Sequence, residues 1–322
     1  MTPPRLAAKT STGEGGFALV AVLLVLAIVG ILGAEFAYSM RLEARAALTY
    51  KEHVLGLHLA EAAVQNAVRE LVGQGPRAAL AEDGLLTFYT TGNVAVPRLN
   101  RERVAYGGGH YSYRITDEAA RLNVNNMTTA TSLLALDRLL QSLGIEKTER
   151  DIISDSLQDW RDGNDLHRVN GAESDDYYLK LPVPYRARNG NLQSLNELLQ
   201  IKGITPDLFR GTAERPGLAQ FLTVATPTPG VVNINTASRR VLAALGRAEA
   251  EILQIVATRQ DAPYPQLPGQ FSGSGLGVQS TTYRIEAEGI VDGKVRARVT
   301  AIVRKVDRPR PSITVLDWWA HR

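Results

Sequence analysis

The part of this 322-residue sequence with the clearest potential for chemistry is an acidic segment from Asp151 to Asp176, which contains eight carboxylates. Carboxylates gathered in one folded loop repel each other and raise each other's pKa unless a cation neutralises them. The chain has no cysteine, and a single histidine, His167, lies within the segment. Hard oxygen donors of this kind favour Ca²⁺ over zinc or copper. The spacing is not that of an EF-hand, because Leu166 and His167 stand where that loop has a ligand and its glycine.

A Ca²⁺ site here would draw on side-chain oxygens of the acidic segment, and we do not expect all of them to contact one ion. The alternative is a solvated acidic loop whose charges pair with Arg161, Arg168 and Arg186. Residue types and spacing leave both interpretations open. The predicted ligands are Asp159, Asp162, Asn164, Asp165, Glu173 and Asp176.

The N-terminal part of the chain contains a long apolar stretch without charge or proline, from Phe17 to Ala34. As a helix it would be about 27 Å long, close to the hydrocarbon thickness of a bilayer. Arg5 and Lys9 precede it, so the positive-inside rule predicts a cytoplasmic N-terminus. A cleaved signal peptide and a plain membrane anchor are the simpler alternatives. The helical pattern runs on past Ala34 without a break, which argues against cleavage after the apolar stretch.

The rest of the sequence predicts an α+β fold. The long helix should continue to about Val72, because Gly73 and Pro76 follow. Segments rich in β-branched and aromatic residues predict strands near both ends of the remaining chain, and Asp292-Gly293 predicts a hairpin turn. One sheet is therefore split by an insert. The predicted strands span residues 85–91, 110–115, 283–289, 295–303 and 313–316.

The insert has helical periodicity and ends in a Pro- and Gly-rich loop at 262–280. Two segments of similar sequence, 121–125 and 232–238, each lead into a helix. Their Asn, Thr and Ser side chains should act as N-caps. The predicted helices span residues 131–143, 149–160, 192–201 and 237–259.

Several functional classes are disfavoured. Without cysteine there are no disulfides, no thiolate catalysis and no Cys-ligated zinc, and the net charge of +3 gives no argument for nucleic acid. The segment after 232 is similar to a helix-hairpin-helix module, but Gly246-Arg247-Ala248 lacks the second hairpin glycine. No nucleophile elbow, phosphate loop or His-Glu-x-x-His motif occurs. We therefore predict that the chain is not an enzyme.

The junction Gly15-Gly16-Phe17 resembles the class III leader of type IV pilins and type II secretion pseudopilins. The resemblance implies that a prepilin peptidase cuts between Gly16 and Phe17 and methylates Phe17. Most members of that family have Glu at the fifth mature position, where this chain has Ala21. In the family, loss of this Glu marks the minor pseudopilin of the K subclass, which sits at the filament tip.

A second group of motifs, in and after the acidic segment, is similar to the signature of type II secretion K proteins. That family's inserted domain binds calcium, so the resemblance implies Ca²⁺ as the cofactor of this chain. The matching residues are Asp159-Trp160, Asp162, Asn170 to Glu173, Asp176 to Leu179, Pro184 to Ala187, Leu195 to Leu198 and Lys202 to Ile204.

The resemblance implies a pilin-like antiparallel β-sheet, preceded by a long transmembrane and amphipathic helix and split by a large inserted α-helical domain. The predicted divisions are a leader at 1–16, a transmembrane helix at 17–34, its periplasmic continuation at 35–72, the first sheet part at 73–116, the insert with its acidic segment at 117–275 and the second sheet part at 276–322.

The function implied is that of a minor pseudopilin that caps and initiates a periplasmic pseudopilus, which drives export of folded proteins across the outer membrane. The expected location is the inner membrane, crossed once, with the C-terminal domain in the periplasm. Expected partners are other minor pseudopilins, the major pseudopilin, prepilin peptidase, the inner-membrane secretion platform and lipid, but not nucleic acid. The alternative is a minor pilin that primes a type IV pilus and handles DNA through its helix-hairpin-helix-like segments.

Overall fold

The computed structural model describes residues 14–73, 75–227, 230–306 and 311–321. Its contacts divide the chain into two units, residues 1–55 and 56–322. Most of the predicted leader, residues 1–13, lies outside the described residues.

The helices are α1 (Glu14–Gly73), α2 (Ala130–Ser142), α3 (Lys147–Arg161), α4 (Pro206–Arg210), α5 (Arg239–Ala244) and α6 (Glu249–Asp261). The strands are β1 (Arg77–Leu80), β2 (Leu86–Tyr89), β3 (Val104–Tyr106), β4 (Gly109–Asp117), β5 (Leu122–Asn123), β6 (Leu222–Thr223), β7 (Val232–Asn233), β8 (Leu276–Gly277), β9 (Thr282–Val291), β10 (Lys294–Val306) and β11 (Ser312–His321).

Helix α1 is 60 residues long and ends at Gly73, as the sequence predicts. Its side chains from Phe17 to Ala34 are exposed and apolar on every face, which is the pattern of a helix surrounded by lipid rather than by protein. The helix is long and apolar enough to cross a membrane. Its last turns instead bury one face, at Leu59, Ala63, Val64, Ala67 and Leu71.

The main sheet is antiparallel, with the strand order β11-β10-β9-β4-β3. The predicted strand at 110–115 thus joins the three predicted C-terminal strands in one sheet. The strand predicted at 85–91 does not join it, because β2 pairs with β1 in a separate two-stranded antiparallel sheet. The β9–β10 hairpin turns at Asp292-Gly293, whose φ values of 50° and 75° are those of a two-residue turn. Strand β4 pairs with β9 so that Asp117 faces Tyr283, and the chain between these two residues forms the insert.

Close packing of α1 on the sheet depends on glycine. A Cβ at Gly289 would lie 1.7 Å from the carbonyl oxygen of Gly56, and one at Gly56 would lie 2.6 Å from the Cβ of Arg296. Helix and strand backbones therefore touch directly at the hairpin end of β9 and β10. The C-terminal end of α1 lies at the other end of the strands, where Lys305 Nζ reaches the Gly75 carbonyl oxygen at 3.4 Å.

Two predicted helices of the insert differ from the structure. Residues 192–201 form a short 3₁₀ helix, Leu195–Gln200, whose N-terminus is capped by Ser194 and Glu197. The predicted helix 237–259 is divided into α5 and α6, because Gly246 adopts φ of +82° and ends the first helix. Helices α2 and α3 agree with the prediction to within two residues. The predicted N-caps are confirmed at Asn123 and Ser238.

A buried carboxylate, Asp117, joins the insert to the sheet. Its oxygens accept hydrogen bonds from the Ala119 backbone at 2.8 Å, from Asn233 Nδ2 at 3.2 Å, from Thr236 Oγ1 at 2.5 Å and from Ser280 Oγ. Burial raises the pKa of Asp117 in spite of these donors. The start, the middle and the end of the insert are therefore attached to one side chain at the end of β4.

The next residue, Glu118, adds a second buried attachment. It accepts hydrogen bonds from Arg121 Nη1 at 3.0 Å, from Arg284 Nε on β9 at 2.7 Å and from Thr223 Oγ1. Burial opposes ionisation, but Arg121 and Arg284 hold the pKa of Glu118 below its usual value. In addition, the Leu80 backbone donates to the Asn235 carbonyl at 3.0 Å. The insert is thus fixed at the sheet end where α1 also ends.

Candidate metal centre

Helix α3 places the first part of the acidic segment. Its inward face, Ile153, Ser156, Leu157 and Trp160, repeats at helical spacing and is buried. Trp160 meets the ring of Tyr178 edge-on at 5.1 Å, and Tyr178 stacks on Tyr185 at 5.3 Å. This aromatic cluster holds the last turn of α3 against the chain that follows the acidic loop.

Asp159, in the last turn of α3, is fully buried and organises that loop. Its Oδ2 accepts from the backbone nitrogens of Arg168 at 3.0 Å and Ala172 at 2.9 Å. Gly171 passes so close that a Cβ there would lie 1.8 Å from Asp159 Oδ2. The loop is therefore wrapped around a carboxylate and is not merely solvated.

Arg168 supplies a positive charge to two of the predicted ligands. Its Nη1 lies 2.5 Å from Asp159 Oδ1 and 2.7 Å from Asp162 Oδ2. The other two arginines considered as partners do not take this role. Arg161 donates to the Met127 and Asn125 carbonyls at 3.0 and 2.8 Å, while Arg186 reaches the exposed Asp175 at 3.9 Å.

Glu173 is the predicted ligand in the most unfavourable environment. The residue is 2% exposed, and neither carboxylate oxygen has a hydrogen-bond partner among the residues that the structure describes. Burial, together with the charges of Asp159 and Asp162, raises the pKa of Glu173 to about 7. An ionised carboxylate in this position is costly unless a cation compensates it.

The remaining predicted ligands make local bonds. Asn164 Nδ2 donates to Asp162 Oδ1 at 2.8 Å, Asp165 accepts from Asn189 at 3.1 Å, and Asp176 accepts from the Glu173 backbone at 2.8 Å. The structure thus brings Asp159 and Asp162 together at Arg168. Among the described residues, no three His, Asp or Glu side chains already surround one point as a metal-ligand set.

Two residues outside the predicted set also shape the loop. Asp155 Oδ2 accepts from the backbone and side chain of Asn170, both at 3.1 Å. Lys202 Nζ donates to the Gly171 carbonyl at 3.0 Å. Asp155 lies one helical turn before Asp159, so the period of α3 could have identified it. Lys202 belongs to the matched family signature, but its spacing did not indicate this role, which depends on a contact 31 residues away in the chain.

The predicted processing residues lie at the start of α1. The helix includes Gly16 and Phe17, and the Phe17 side chain is 80% exposed. The structure does not test cleavage or methylation at this peptide bond, which stay predictions.

A long N-terminal helix packed on an antiparallel sheet, with a helical insert between two adjacent strands, defines a pilin-like protein.

The sequence profile described as type II secretion system (T2SS), protein K, matches residues 120–214. The type II secretion system protein K of Pseudomonas aeruginosa is 30% identical over 247 residues, which cover 72% of this chain and 68% of that protein. The corresponding protein of Pectobacterium carotovorum is 33% identical over 119 residues, and that match spans 36% of its length.

The solved GspK–GspI–GspJ complex from the type 2 secretion system of enterotoxigenic Escherichia coli contains a chain with the same fold. The TM-score is 0.64 at 17% identity, and the match covers 87% of this chain and 99% of that one. The protein belongs to the type II secretion system protein K family and is a minor pseudopilin. This membership favours type II secretion over the type IV pilus alternative. Proteins of this family are structural pseudopilins.

The contact between Gly171 and Asp159 generates a test of the loop's architecture. We expect Gly171→Ala to lower the free energy of unfolding by about 1–3 kcal/mol, because the added methyl group must displace the Asp159 carboxylate or the loop backbone. The control is Gly163→Ala in the same loop, where no heavy atom lies within 4 Å of the added Cβ. Thermal denaturation of the two purified variants in detergent is the measurement. Equal melting temperatures would show that the loop does not depend on this contact.

Proposed function

We propose that this minor pseudopilin initiates and caps the periplasmic pseudopilus that drives export of folded proteins. The observation that carries the proposal is the attachment of the insert at the sheet end where α1 also ends, through Asp117 and Glu118. A subunit stacked beyond that end would meet the bulky insert, so the protein suits the tip of the filament. Partners of the tip complex would be other minor pseudopilins, as in the solved complex that contains GspI and GspJ.

Photo-crosslinking in assembled pseudopili tests the tip position. A photoreactive residue at Leu48 on α1, which is 55% exposed, should crosslink to other pseudopilins, because filament subunits are expected to bundle through these helices. The matched position is Val183 in the insert, which is 77% exposed. Crosslinks from Val183 to the major pseudopilin should be at least tenfold fewer than those from Leu48. Comparable crosslinking from both positions would contradict the tip position.

The N-terminal end of α1 supports a membrane location for the mature protein. We propose that prepilin peptidase cleaves before Phe17 and methylates it, and that the apolar part of α1 crosses the inner membrane once, in contact with lipid. The C-terminal domain then lies in the periplasm. Assembly would involve the major pseudopilin and the inner-membrane secretion platform.

Processing can be tested at the cleavage bond. Gly16→Glu should leave an unmethylated precursor that is larger than the mature protein by the leader, because the peptidase requires the small residue before the cut. N-terminal sequencing and mass spectrometry of wild type and variant give the result. A wild-type N-terminus other than Phe17 would exclude the proposed leader, and an unmethylated Phe17 would exclude only the methylation.

We also propose that the acidic segment holds Ca²⁺. The residues fit a hard cation, since Asp159 and Asp162 lie together and no described residue donates a hydrogen bond to the buried Glu173 carboxylate. Bound calcium would supply the positive charge that this carboxylate lacks. Asn164, Asp165 and Asp176 remain candidate ligands through further side-chain oxygens.

Calcium binding should be visible as thermal stabilisation of the full chain in detergent. An ion that binds only the native state stabilises it by about 2.7 kcal/mol at a hundredfold excess over Kd, so the protein should melt several degrees lower in chelator. Ca²⁺ should restore the melting temperature, and Mg²⁺ should not, because it requires a tighter octahedral site.

The variant with both Asp162→Ala and Glu173→Ala should lose this response. Asp175→Ala is the control, because Asp175 lies in the same segment with its side chain 83% exposed. A wild-type protein that melts at one temperature in chelator and in millimolar Ca²⁺ would rule out the calcium site.

A further inference from the structure

Arg168 occupies the position from which a cation would act on Asp159 and Asp162. A single atom, Nη1, lies 2.5 Å from one carboxylate and 2.7 Å from the other. We propose that Arg168 is an internal competitor for the calcium site: its guanidinium and Ca²⁺ neutralise the same two carboxylates, so each weakens the binding of the other. The inference rests on the calcium site proposed above and concerns what sets its affinity.

The charge balance of the site leaves room for a stronger cation. Asp159, Asp162 and Glu173 carry three negative charges when ionised, and Arg168 supplies one positive charge. The guanidinium contacts the first two carboxylates, whereas in the described part of the chain neither oxygen of Glu173 has a hydrogen-bond partner. A divalent ion offers twice the charge of the guanidinium and accepts several carboxylate oxygens at once. Arginine therefore compensates the site only in part.

The loop does not need the guanidinium to stay attached to α3. The Arg168 backbone nitrogen is bonded to Asp159 Oδ2 at 3.0 Å, independently of its side chain. Ala172, Asn170 and Lys202 provide further bonds to the same loop. The Arg168 side chain itself is 38% exposed, so it can move to solvent without crossing the core. Release of the guanidinium is thus compatible with a folded loop.

An internal competitor has two consequences for the site. It keeps the carboxylates Asp159 and Asp162 compensated at low calcium, so the loop remains ordered during export and assembly. It also weakens calcium binding, because the ion must replace two charge-assisted hydrogen bonds. Extracellular calcium modules work at Kd values of about 10⁻⁴ to 10⁻³ M, and a competitor shifts affinity towards that range.

The test is calcium titration by calorimetry of the full chain in detergent, comparing wild type, Arg168→Gln, Arg168→Lys and Arg186→Gln. Removing the competing charge should tighten calcium binding by at least about tenfold in Arg168→Gln, since each of the two lost charge-assisted bonds corresponds to about that factor. Arg168→Lys retains the charge without the guanidinium geometry, so its calcium affinity should lie between those of wild type and Arg168→Gln. Arg186→Gln is the matched control, because Arg186 is 72% exposed and contacts no predicted ligand closely.

Melting temperatures separate this competition from a merely structural role. In chelator, Arg168→Gln should melt below wild type, and millimolar Ca²⁺ should close the gap. If the variant is unfolded in chelator, Ca²⁺ should refold it, and failure to refold would overturn the inference.

The two proposals fail in different ways. Wild type that binds calcium while Arg168→Gln binds equally or more weakly would refute the competition but keep the calcium site. Calcium binding by Arg168→Gln alone would support the competition and refute a calcium-loaded wild type. No binding by either protein would refute both.

Discussion

The structure depends on one topological constraint, namely that the insert leaves β4 and returns to β9 at adjacent positions of one sheet. Asp117 and Tyr283 are paired across these strands, so a long chain must begin and end at nearly one point. The buried carboxylate of Asp117 lies at this point and accepts hydrogen bonds from the start, the middle and the end of the insert. Glu118 and Arg284 add a buried ion pair between insert and sheet.

Buried charges at such a junction carry specificity as well as energy. Burying a carboxylate costs free energy unless it is hydrogen-bonded or paired, and each partner here comes from a different part of the chain. An insert displaced by a few ångströms would leave Asp117 or Glu118 uncompensated. This arrangement attaches the insert to the sheet without a disulfide, in a chain that contains no cysteine.

In the acidic loop, the cost of burying a carboxylate without a partner has a different consequence. Asp159 is satisfied by backbone donors and Arg168, whereas Glu173, almost as deeply buried, has no hydrogen-bond partner among the described residues. The first arrangement maintains the loop, and the second leaves a carboxylate that a hard cation could neutralise.

Local sequence was sufficient wherever the cause is local. The uninterrupted apolar run determined the first part of α1, Gly73 its end and Asp292-Gly293 the β9–β10 turn, because each depends on neighbouring residues. The types and spacing of the acids were also enough to select the loop as the candidate site. Tertiary structure decided how the acidic loop is compensated: Asp159 and Asp162 contact Arg168, and Glu173 is buried without a hydrogen-bond partner in the described part of the chain. These outcomes depend on contacts and desolvation produced by distant segments, and no local pattern of residues records them.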